Sequence, residues 1–271
     1  MNTDLTLLVL GCGKMGGALI QGALKAGLPA KNVRIVEKSA EIRRAFEQKG
    51  IQTAETPAEF DSFCPDVVFV ALKPFVVGDV LPQIKPFTDK GAAVLSIVAG
   101  KKIAFYEDVL GQKTPVVRAM PNTPALIGKG MTAACANAFA SPETKEAVGA
   151  LLNACGAFAW VADESLIDAV TAVSGSGPAY LFYFVEALSD AALKAGLPAD
   201  LCETFAKRTI CGAAALLDET GESPAVLRQN VTTPNGTTAA ALDVFAKDGA
   251  LFALTQEAVA AAKRRSEELA K

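Results

Sequence analysis

The stretch that most constrains the fold lies near the N-terminus, where four apolar residues (Leu7–Leu10) run directly into a Gly-x-Gly-x-x-Gly motif. The residues after the motif have the pattern of a helix, so a buried strand ends here, turns tightly and leads into a helix. The first amide N–H groups of such a helix have no intrahelical partners, and they suit a pyrophosphate. Gly11 permits the turn, Gly13 lets a phosphate reach the backbone, and Gly16 lets the helix lie close to the strand.

The glycine motif alone is a weak signal, because a glycine-rich turn that binds nothing can have the same spacing. Here the motif follows a strand and opens a helix at the start of a β-α-β pattern, which is the context that dinucleotide binding requires. We therefore predict a dinucleotide-binding site at residues 10–16.

Composition argues against several classes of function. The chain has 271 residues, which suggests two domains, and 51% of them are hydrophobic, which is ample for a core. A net charge of -3 gives no electrostatic case for nucleic acid or an anionic membrane as a partner. No apolar run reaches the roughly 18 residues of a membrane-spanning helix, and no signal peptide is visible. We expect a cytoplasmic protein whose six cysteines, none of them in Cys-x-x-Cys spacing, are free thiols.

The chain contains no histidine, which is the side chain that normally titrates near neutral pH. A catalytic mechanism here must therefore work without a histidine acid, base or metal ligand. The cysteines and carboxylates are not clustered at the spacing of zinc ligands, so we predict no metal site.

Apolar runs alternate with helical segments over the first 163 residues, at the spacing of β-α-β units. Two of these runs, 66–72 and 92–98, are apolar almost throughout, as in strands buried on both faces of a sheet. The predicted strands after the first are 33–37, 66–72, 92–98, 116–120, 131–136 and 158–161, with a helix at 142–154. This order predicts an α/β fold whose N-terminal domain, residues 1–163, is a Rossmann-type, doubly wound parallel sheet.

Glu37 ends the second predicted strand, about twenty residues after the glycines, where a dinucleotide fold holds the adenosine ribose hydroxyls. Lys38, Ser39, Arg43 and Arg44 follow it, and a 2′-phosphate would favour such groups, although each cation taken alone also fits a solvated helix face. Because Glu37 favours NADH and its neighbours favour NADPH, the sequence leaves both cofactors open.

From residue 164 onward strand-like runs nearly vanish, and alanine-rich segments with a period of 3.6 residues replace them. We predict helices at about 165–173, 177–195, 199–217, 223–229, 237–247 and 249–269, in an all-helical domain that spans 164–271. Residues 180–193 are apolar nearly all round, which indicates a buried helix. A domain of this size has little room to bury several such helices alone, so we expect packing against a second copy of the chain.

Two polar stretches in the helical half are not explained by packing. In Ala172–Tyr180, Ser174 and Ser176 stand among small residues just before a buried helix; serine caps at a kinked helix start are the alternative to a binding role. In Asn230–Thr238, hydroxyl and amide N–H groups converge on a helix N-terminus, which suits a carboxylate. An N-cap preceded by a turn is the alternative there, but four threonines and two asparagines exceed what one cap requires.

Five segments, taken together, resemble one known family. They are the glycine motif and residues 71–74, 118–124, 167–180 and 231–238, and the Ala-Leu-Lys-Pro and Val-Thr-Thr-Pro-Asn-Gly-Thr-Thr segments are much more specific than the glycines. The chain resembles the pyrroline-5-carboxylate reductases in these segments, in order, along nearly its whole length. The resemblance implies reduction of 1-pyrroline-5-carboxylate to L-proline by NADPH or NADH. It also implies a Rossmann domain, an all-helical dimerisation domain, and an active site at their junction that is completed across a homodimer or a higher oligomer built from dimers.

By position, the resemblance implies where the cofactor lies. The pyrophosphate would lie on the glycine loop, the adenosine ribose or its phosphate would meet the end of the second strand, and two further strand ends with Asn230 would line the rest. The implied cofactor-binding residues are Leu10, Gly11, Cys12, Gly13, Lys14, Met15, Gly16, Glu37, Lys38, Ser39, Ala71, Leu72, Lys73, Pro74, Ile97, Val98, Ala99 and Asn230.

The resemblance also implies a substrate carboxylate on Thr237 and Thr238, and Thr238 is the candidate catalytic residue, hydrogen bonded to the ring nitrogen. The implied substrate-binding residues are Glu164, Ser174, Ser176, Thr233, Gly236, Thr237 and Thr238. Asn235 stands where the family often has a second glycine or another small residue. Because asparagine tolerates a left-handed backbone, we expect the site to survive this difference.

Two other functions remain open at this point. One is a β-hydroxyacid dehydrogenase or another imine reductase with the same two-domain plan. A β-hydroxyacid dehydrogenase usually needs a catalytic lysine in the helical domain, but neither Lys194 nor Lys207 stands in a small-residue loop. The other is a dinucleotide-binding regulator without turnover, against which the second, hydroxyl-rich site argues.

Overall fold

The structure, a computed structural model, describes residues 4–270 and divides into two compact units. The first unit runs to Ser176 and takes in the chain again from Ala262; the second is Gly177–Ala261. Residues 164–176 therefore pack with the first unit, although the sequence places them in the helical domain. The domain boundary after residue 163 stays a prediction.

The first unit is built on one eight-stranded sheet, in which seven of the strands are those that the apolar runs predict. Its strands are β1 (Leu7–Leu10), β2 (Val33–Val36), β3 (Gln52–Ala54), β4 (Val67–Val70), β5 (Ala93–Ser96), β6 (Val116–Met120), β7 (Gly130–Ala136) and β8 (Gly156–Trp160). The strand order is β3-β2-β1-β4-β5-β6-β7-β8, and the first six strands in that order pair in parallel. The carboxyl ends of β2, β1, β4 and β5 consequently lie side by side along one edge.

Helices cover both faces of the sheet, so the predicted doubly wound fold is confirmed. Successive strand residues alternate between two apolar cores: Leu7 and Val9 belong to one, Leu8 and Leu10 to the other. The helices of the first unit are α1 (Lys14–Lys25), α2 (Ala40–Glu47), α3 (Val77–Val80), α4 (Lys85–Thr88), α5 (Ile103–Leu110), α6 (Pro142–Asn153) and α7 (Leu166–Val170). The first core includes side chains of α1, α2 and α6, and the second includes side chains of α3, α4, α5 and α7.

Three strands depart from the predicted parallel sheet. β7 pairs antiparallel with β6, because the connection through residues 121–129 is shorter than the dozen or so residues that a parallel crossover needs. β8 follows α6 and pairs in parallel with β7. The short edge strand β3 was not predicted, since Gln52–Ala54 has neither an apolar run nor a clear alternation.

The chain after β8 is helical, as predicted. The second unit contains α8 (Gly177–Lys194), α9 (Ala199–Thr220), α10 (Pro224–Asn230) and α11 (Thr237–Ala246), and α12 (Ala250–Leu269) begins in it. The expected break around Ser174 is a π-helical turn, Thr171–Gly175, that follows α7 directly. None of the helices in residues 4–270 is both long and apolar enough to span a bilayer.

The apolar helix α8 is not buried in the single chain. Phe182 is 60% and Tyr183 73% exposed, and Leu181 and Phe184 are also exposed. Within the described part of the second unit, the only buried apolar side chains are those of Cys202 and Ala206. Such an extensive exposed apolar surface indicates an interaction site and not a surface that faces solvent in the assembled protein.

The last turns of α12 belong to the first unit and are fastened there by a buried hydrogen bond. The Ser266 hydroxyl donates to Oδ1 of Asp168 in α7 over 2.6 Å, and both residues are buried. Further along, the carbonyl oxygen of Leu269 lies so close to Gly100 that a Cβ there would be 2.7 Å away. Gly100 also has a φ of +72°, which glycine adopts without strain.

We expect Ser266→Ala to lower the free energy of unfolding by about 1.5–3 kcal/mol, because it removes a hydrogen bond to a buried carboxylate. Urea denaturation followed by circular dichroism measures this. The exposed Ser62 offers a matched control, and Ser62→Ala should stay within about 0.5 kcal/mol of the wild type. Equal stabilities for the two variants would show that the bond does not fasten α12.

Candidate functional site

The glycine loop after β1 has the close contacts that its sequence predicts. Gly11 has a φ of +83°, and a Cβ on it would lie 2.9 Å from the carbonyl oxygen of Ala71. A Cβ on Gly16 would lie 2.7 Å from the carbonyl oxygen of Gly11 and 2.8 Å from the Cβ of Ala71. Both positions therefore require glycine, one for the turn and one for the approach of α1 to the sheet.

The start of α1 is arranged to receive an anion. No side chain caps it, its first turn contains no acidic residue, and the first N–H groups of a helix have no intrahelical acceptors. A Cβ on Gly13 would meet no protein atom within 4 Å, so the space in front of this helix end is open. The side chains of Leu10 and Cys12 are buried, so these two residues can offer a ligand only their backbone.

Burial makes the Cys12 thiol chemically inert. Burial first, and then the negative charge of Glu37, raise the pKa of Cys12 to about 12. The sulfur is thus a neutral thiol at working pH, neither a nucleophile nor a metal ligand. Residues 4–270 contain no group of three His, Cys, Asp or Glu side chains that could hold a metal ion.

Glu37 stands at the end of β2 and is already engaged by backbone N–H groups. Its Oε2 accepts from Cys12 at 2.8 Å and its Oε1 accepts from Ser39 at 3.0 Å. The carboxylate therefore ties the glycine loop to the β2–α2 turn, a role that the sequence did not reveal. It also lines a cavity of about 100 Å³ with Gly11, Lys38 and Leu72, beside the predicted ribose position.

The basic residues after Glu37 have different surroundings. Nη1 of Arg43 donates to the carbonyl oxygens of Glu37 and Lys38, and its Nη2 pairs with Glu55 at 2.6 Å. Arg43 thus braces the turn, whereas Lys38 and Arg44 are exposed. The Ser39 hydroxyl caps α2 by accepting from the N–H of Ile42. Lys38 is therefore the cation best placed to meet a 2′-phosphate.

Two further predicted segments lie along the same sheet edge. Ala71–Pro74 follows β4, which is the neighbour of β1, and Ile97–Ala99 follows β5, the next strand along. Lys73 and Ala99 are exposed, whereas Val98 is buried and offers its backbone alone. The parallel order thus aligns four of the five predicted cofactor segments on one edge. An open groove of about 710 Å³ runs along α1 from Cys12, Gly13 and Lys14 to Ala125–Gly128.

Ser174 lies in the π-helical turn and is held by Asn122. The Asn122 Nδ2 donates to the carbonyl oxygen of Ser174 at 3.1 Å and to its hydroxyl at 3.4 Å, and its Oδ1 accepts from the N–H of Met131. The N–H of Ser176 donates to the carbonyl oxygen of Thr171 at 2.8 Å, which closes the π turn. Single π turns occur frequently at functional sites. Sequence reasoning missed Asn122 because nothing nearby in sequence marks its partner.

The threonine loop in the second unit ends at another uncapped helix start. Thr237 and Thr238 are the first residues of α11, which has Gly236 as its N-cap and no acidic residue in its first turn. Asn235 has a φ of 60°, a left-handed conformation that asparagine tolerates. Among the neighbouring threonines, Thr232 donates its hydroxyl to the carbonyl oxygen of Arg228 and is thereby occupied.

The remaining predicted side chains have partners of their own. Asn230 donates from Nδ2 to Oε2 of Glu222 at 3.4 Å, within the second unit. Oε1 of Glu164 accepts from Nη1 of Arg118 and from the N–H of Ile103, both at 2.8 Å, within the first. A binding role for Asn230, Glu164 or the threonine loop stays a prediction.

Comparison with known sequences gives two matching family models. One, described as pyrroline-5-carboxylate reductase dimerisation, matches residues 164–269; the other, described as NADP oxidoreductase coenzyme F420-dependent, matches residues 6–100. The chain is 41% identical to a pyrroline-5-carboxylate reductase from Pseudomonas aeruginosa, over 96% of this chain and 95% of that one. It is 36% identical to the enzyme of that name from Escherichia coli, over 97% of each chain.

Solved structures agree with these matches. A pyrroline-5-carboxylate reductase from Coxiella burnetii superposes with a TM-score of 0.93, at 32% identity and 99% coverage of both chains. A pyrroline carboxylate reductase from Plasmodium falciparum, solved with NADP bound, gives a TM-score of 0.82 at 29% identity, again over 99% of both. The fold predicted from the strand and helix pattern is that of these proteins.

We expect Gly13→Ala to weaken NADPH binding without destabilising the fold, because the added methyl group meets open space and not protein. Fluorescence titration should show a loss of at least about tenfold in affinity, the size of a blocked backbone contact of roughly 1.5–3 kcal/mol. Gly78→Ala is the matched control, since Gly78 likewise has open space around it. Unchanged affinity in the Gly13 variant would place the pyrophosphate elsewhere.

We expect Lys38→Ala to raise the KM for NADPH more than the KM for NADH, because only NADPH carries the 2′-phosphate that the ammonium group would meet. Arg44→Ala is the control, as Arg44 is exposed in α2 near the same turn. Steady-state kinetics with both cofactors gives the answer. Equal changes for the two cofactors would remove Lys38 from the choice between them.

Proposed function

The chain belongs to the pyrroline-5-carboxylate reductase family, and we propose that it reduces 1-pyrroline-5-carboxylate to L-proline with NADPH or NADH, the last step of proline synthesis. The proposal rests on membership of the family along nearly the whole chain, combined with one feature of this structure. That feature is the start of α1 after β1, which no side chain caps and which has open space at Gly13. Family membership supports the reaction, and the open helix start supports a binding site for the pyrophosphate of the dinucleotide.

The residues of the first unit fit the cofactor. The open space at Gly13 and the N–H groups of the first turn of α1 would hold the pyrophosphate, and the cavity beside Glu37 and Lys38 would hold the adenosine end. Ala71–Pro74 and Ile97–Ala99 would line the rest of the edge. When bound, the reduced nicotinamide supplies the hydride that converts the imine into an amine.

The second unit would recognise the substrate. The N–H groups at the start of α11 and the hydroxyls of Thr237 and Thr238 offer hydrogen bonds to a carboxylate, and the positive end of the helix dipole favours its charge. The Thr238 hydroxyl would also accept from, and thereby orient, the protonated ring nitrogen. Ser174, Ser176, Thr233 and Gly236 complete the proposed substrate set.

This reaction suits an enzyme that has no histidine. A cyclic imine is basic enough to bind as an iminium ion, so the proton is already on nitrogen when carbon accepts hydride and the C=N bond becomes a C–N bond. The protein then has mainly to hold the reacting carbon in place and neutralise the carboxylate, which are proximity and electrostatic tasks. Because threonine is a poor acid, orientation is the role proposed for Thr238.

The chain forms a homo-oligomer, since its helical half matches a dimerisation model and exposes the apolar face of α8. We propose a homodimer, or a higher oligomer built from dimers, in which α8 is buried against the partner. The proposed ligand besides the cofactor is the small-molecule substrate. The net charge of -3 favours neither nucleic acid nor an anionic membrane as a partner. A cytoplasmic location fits six cysteines that are all free thiols.

The deciding experiment measures NADPH and NADH oxidation with and without pyrroline-5-carboxylate, and identifies proline as the product. The proposal predicts oxidation that depends on the imine and yields one proline per cofactor oxidised. Oxidation of NADPH or NADH with a β-keto acid, or reduction of NADP+ or NAD+ with a β-hydroxyacid, would instead support a dehydrogenase, although Lys194 is exposed and ion-paired with Asp190. Cofactor binding without any turnover would support a regulator.

We expect Thr238→Ala to lower kcat/KM for pyrroline-5-carboxylate roughly ten- to hundredfold, the loss of a hydrogen bond to a charged group worth about 1.5–3 kcal/mol. NADPH affinity should stay close to that of the wild type, and Thr238→Ser should recover most of the activity. Thr255→Ala, which removes a helix threonine hydroxyl bonded only to Leu251, is the control. If Thr238→Ala instead lost affinity for NADPH and kept its affinity for proline, the threonine loop would belong to the cofactor site and not to the substrate site.

We expect the protein to be at least a dimer at micromolar concentration, because α8 exposes apolar side chains that water disfavours. Multi-angle light scattering measures the mass directly. Tyr183→Glu and Phe182→Lys should shift the mass toward the monomer, while exposed Glu41→Lys on α2 should not. A stable, fully active wild-type monomer would contradict the expectation.

A further inference from the structure

A group of buried polar side chains lies beneath the segment that follows β5. Ser96 is the last residue of β5, Tyr106 lies in α5, and both are fully buried. Their hydroxyls share a hydrogen bond, and the Ser96 Oγ also accepts from the N–H of Val98 at 3.1 Å. These contacts fix the first turn of the loop that connects β5 to α5.

The far end of the same loop is fixed by Glu164. The N–H of Ile103, the first residue of α5, donates to Oε1 of Glu164 at 2.8 Å, so this carboxylate satisfies an orphan donor at the helix start. The same oxygen accepts from Nη1 of Arg118, whose side chain is 2% exposed. Within residues 4–270 the Arg118 Nη2 has no hydrogen-bond partner, so the pair relies on Nη1 alone.

The middle of the loop is confined as well. A Cβ on Gly100 would strike the carbonyl oxygen of Leu269, which lies at the end of α12. The loop Ile97–Lys102 is therefore held at its start, its middle and its end. Such complete restraint is unusual for a connecting segment, because loops generally run over the surface with few contacts.

The position of this loop in the sheet indicates why it is held so firmly. The glycine loop follows β1 and the predicted ribose position follows β2, so the adenosine end lies on the β2 side. β5 lies on the opposite side, beyond β4. A dinucleotide stretched along this edge would place its nicotinamide end near the β5 loop.

We propose that Ser96, Tyr106 and Glu164, with Arg118 behind Glu164, hold the loop Ile97–Lys102 in the shape that the nicotinamide end of the cofactor requires. Glu164 is then a positioning residue, which acts through the start of α5. The inference rests on the proposed function for its kinetic consequence, but the restraint of the loop is a property of the protein alone.

The Tyr106 hydroxyl and the Glu164 carboxylate have the properties of a fixed scaffold. Burial raises the pKa of Tyr106 to about 12, so its hydroxyl keeps its proton throughout the working range. The Glu164 carboxylate is committed to two donors at one oxygen, both of them within the protein. Loss of the Arg118 contact would leave a buried charge unpaired, so the ion pair keeps this carboxylate at the start of α5.

The first test is hydrogen exchange in the protein without cofactor. Tyr106→Phe and Ser96→Ala each remove one hydroxyl from the group, and each should speed exchange of the Val98 and Ile103 amides at least about tenfold, as expected for a loosened local structure. Thr88→Val removes a buried hydroxyl elsewhere in the same unit and is the matched control. Unchanged exchange in both variants would overturn the proposal, whether or not the protein turns over pyrroline-5-carboxylate.

The second test separates positioning from substrate binding. In the two hydroxyl variants, NADPH affinity by titration and kcat should both fall, with kcat about tenfold lower because small displacements of reacting groups are costly. The KM for pyrroline-5-carboxylate and the affinity for proline should stay within about twofold. Loss of proline affinity with normal NADPH affinity would contradict the proposal.

Glu164→Gln gives the most direct comparison of the two roles. Gln keeps an acceptor for Ile103 but leaves Arg118 without a counter-charge, so we expect faster loop exchange and weaker NADPH binding with proline affinity retained. The substrate-contact role predicts the reverse: unchanged exchange, unchanged NADPH affinity and lost proline affinity. If this variant fails to fold, the Tyr106 and Ser96 variants still decide the question. If the wild type shows no reduction, the proposed function fails while the exchange result stands.

Discussion

The structure depends on one close contact, between the start of α1 and the sheet. With side chains at residues 11 and 16, a Cβ would come within 3 Å of the Ala71 carbonyl or methyl group, so the helix would have to lie farther from β1 and β4. Two glycines remove that obstacle, and the N-terminus of α1 then points at the edge where the parallel strands end. A ligand site at this edge is therefore predicted from backbone geometry before any side chain is considered.

The surrounding polar side chains serve mainly to keep that edge in shape. Glu37 joins the glycine loop to the turn after β2, Arg43 braces the same turn, and Asn122 fixes the π turn beside Ser174. Arg118 and Glu164 do the same for the start of α5. Many of the charged side chains that the sequence suggests for ligands thus pair within the protein. In the proposed function, backbone N–H groups, hydroxyls and Lys38 would face the cofactor and substrate.

The fold could be predicted from the sequence because the long apolar runs and helical periods are strong signals. Four of the five predicted cofactor segments lie together because parallel strands share one edge. Sequence reasoning failed where the signal is not local. Gln52–Ala54 has no pattern of its own, the direction of β7 depends on the length of its connection, and the π turn has no sequence signature. The partners of Glu164 and Asn122 lie 46 and 52 residues away, so only the structure brings them together. The exposed α8 becomes intelligible only with a second chain.

The measurement that tests this account most directly is a crystal structure of the protein with NADPH. The account predicts the pyrophosphate within hydrogen-bonding distance of the N–H groups at Gly13–Gly16, the adenosine end beside Glu37 and Lys38, and the nicotinamide against Ile97–Ala99. A cofactor in the open groove along α1, with its phosphates away from these N–H groups, would contradict it.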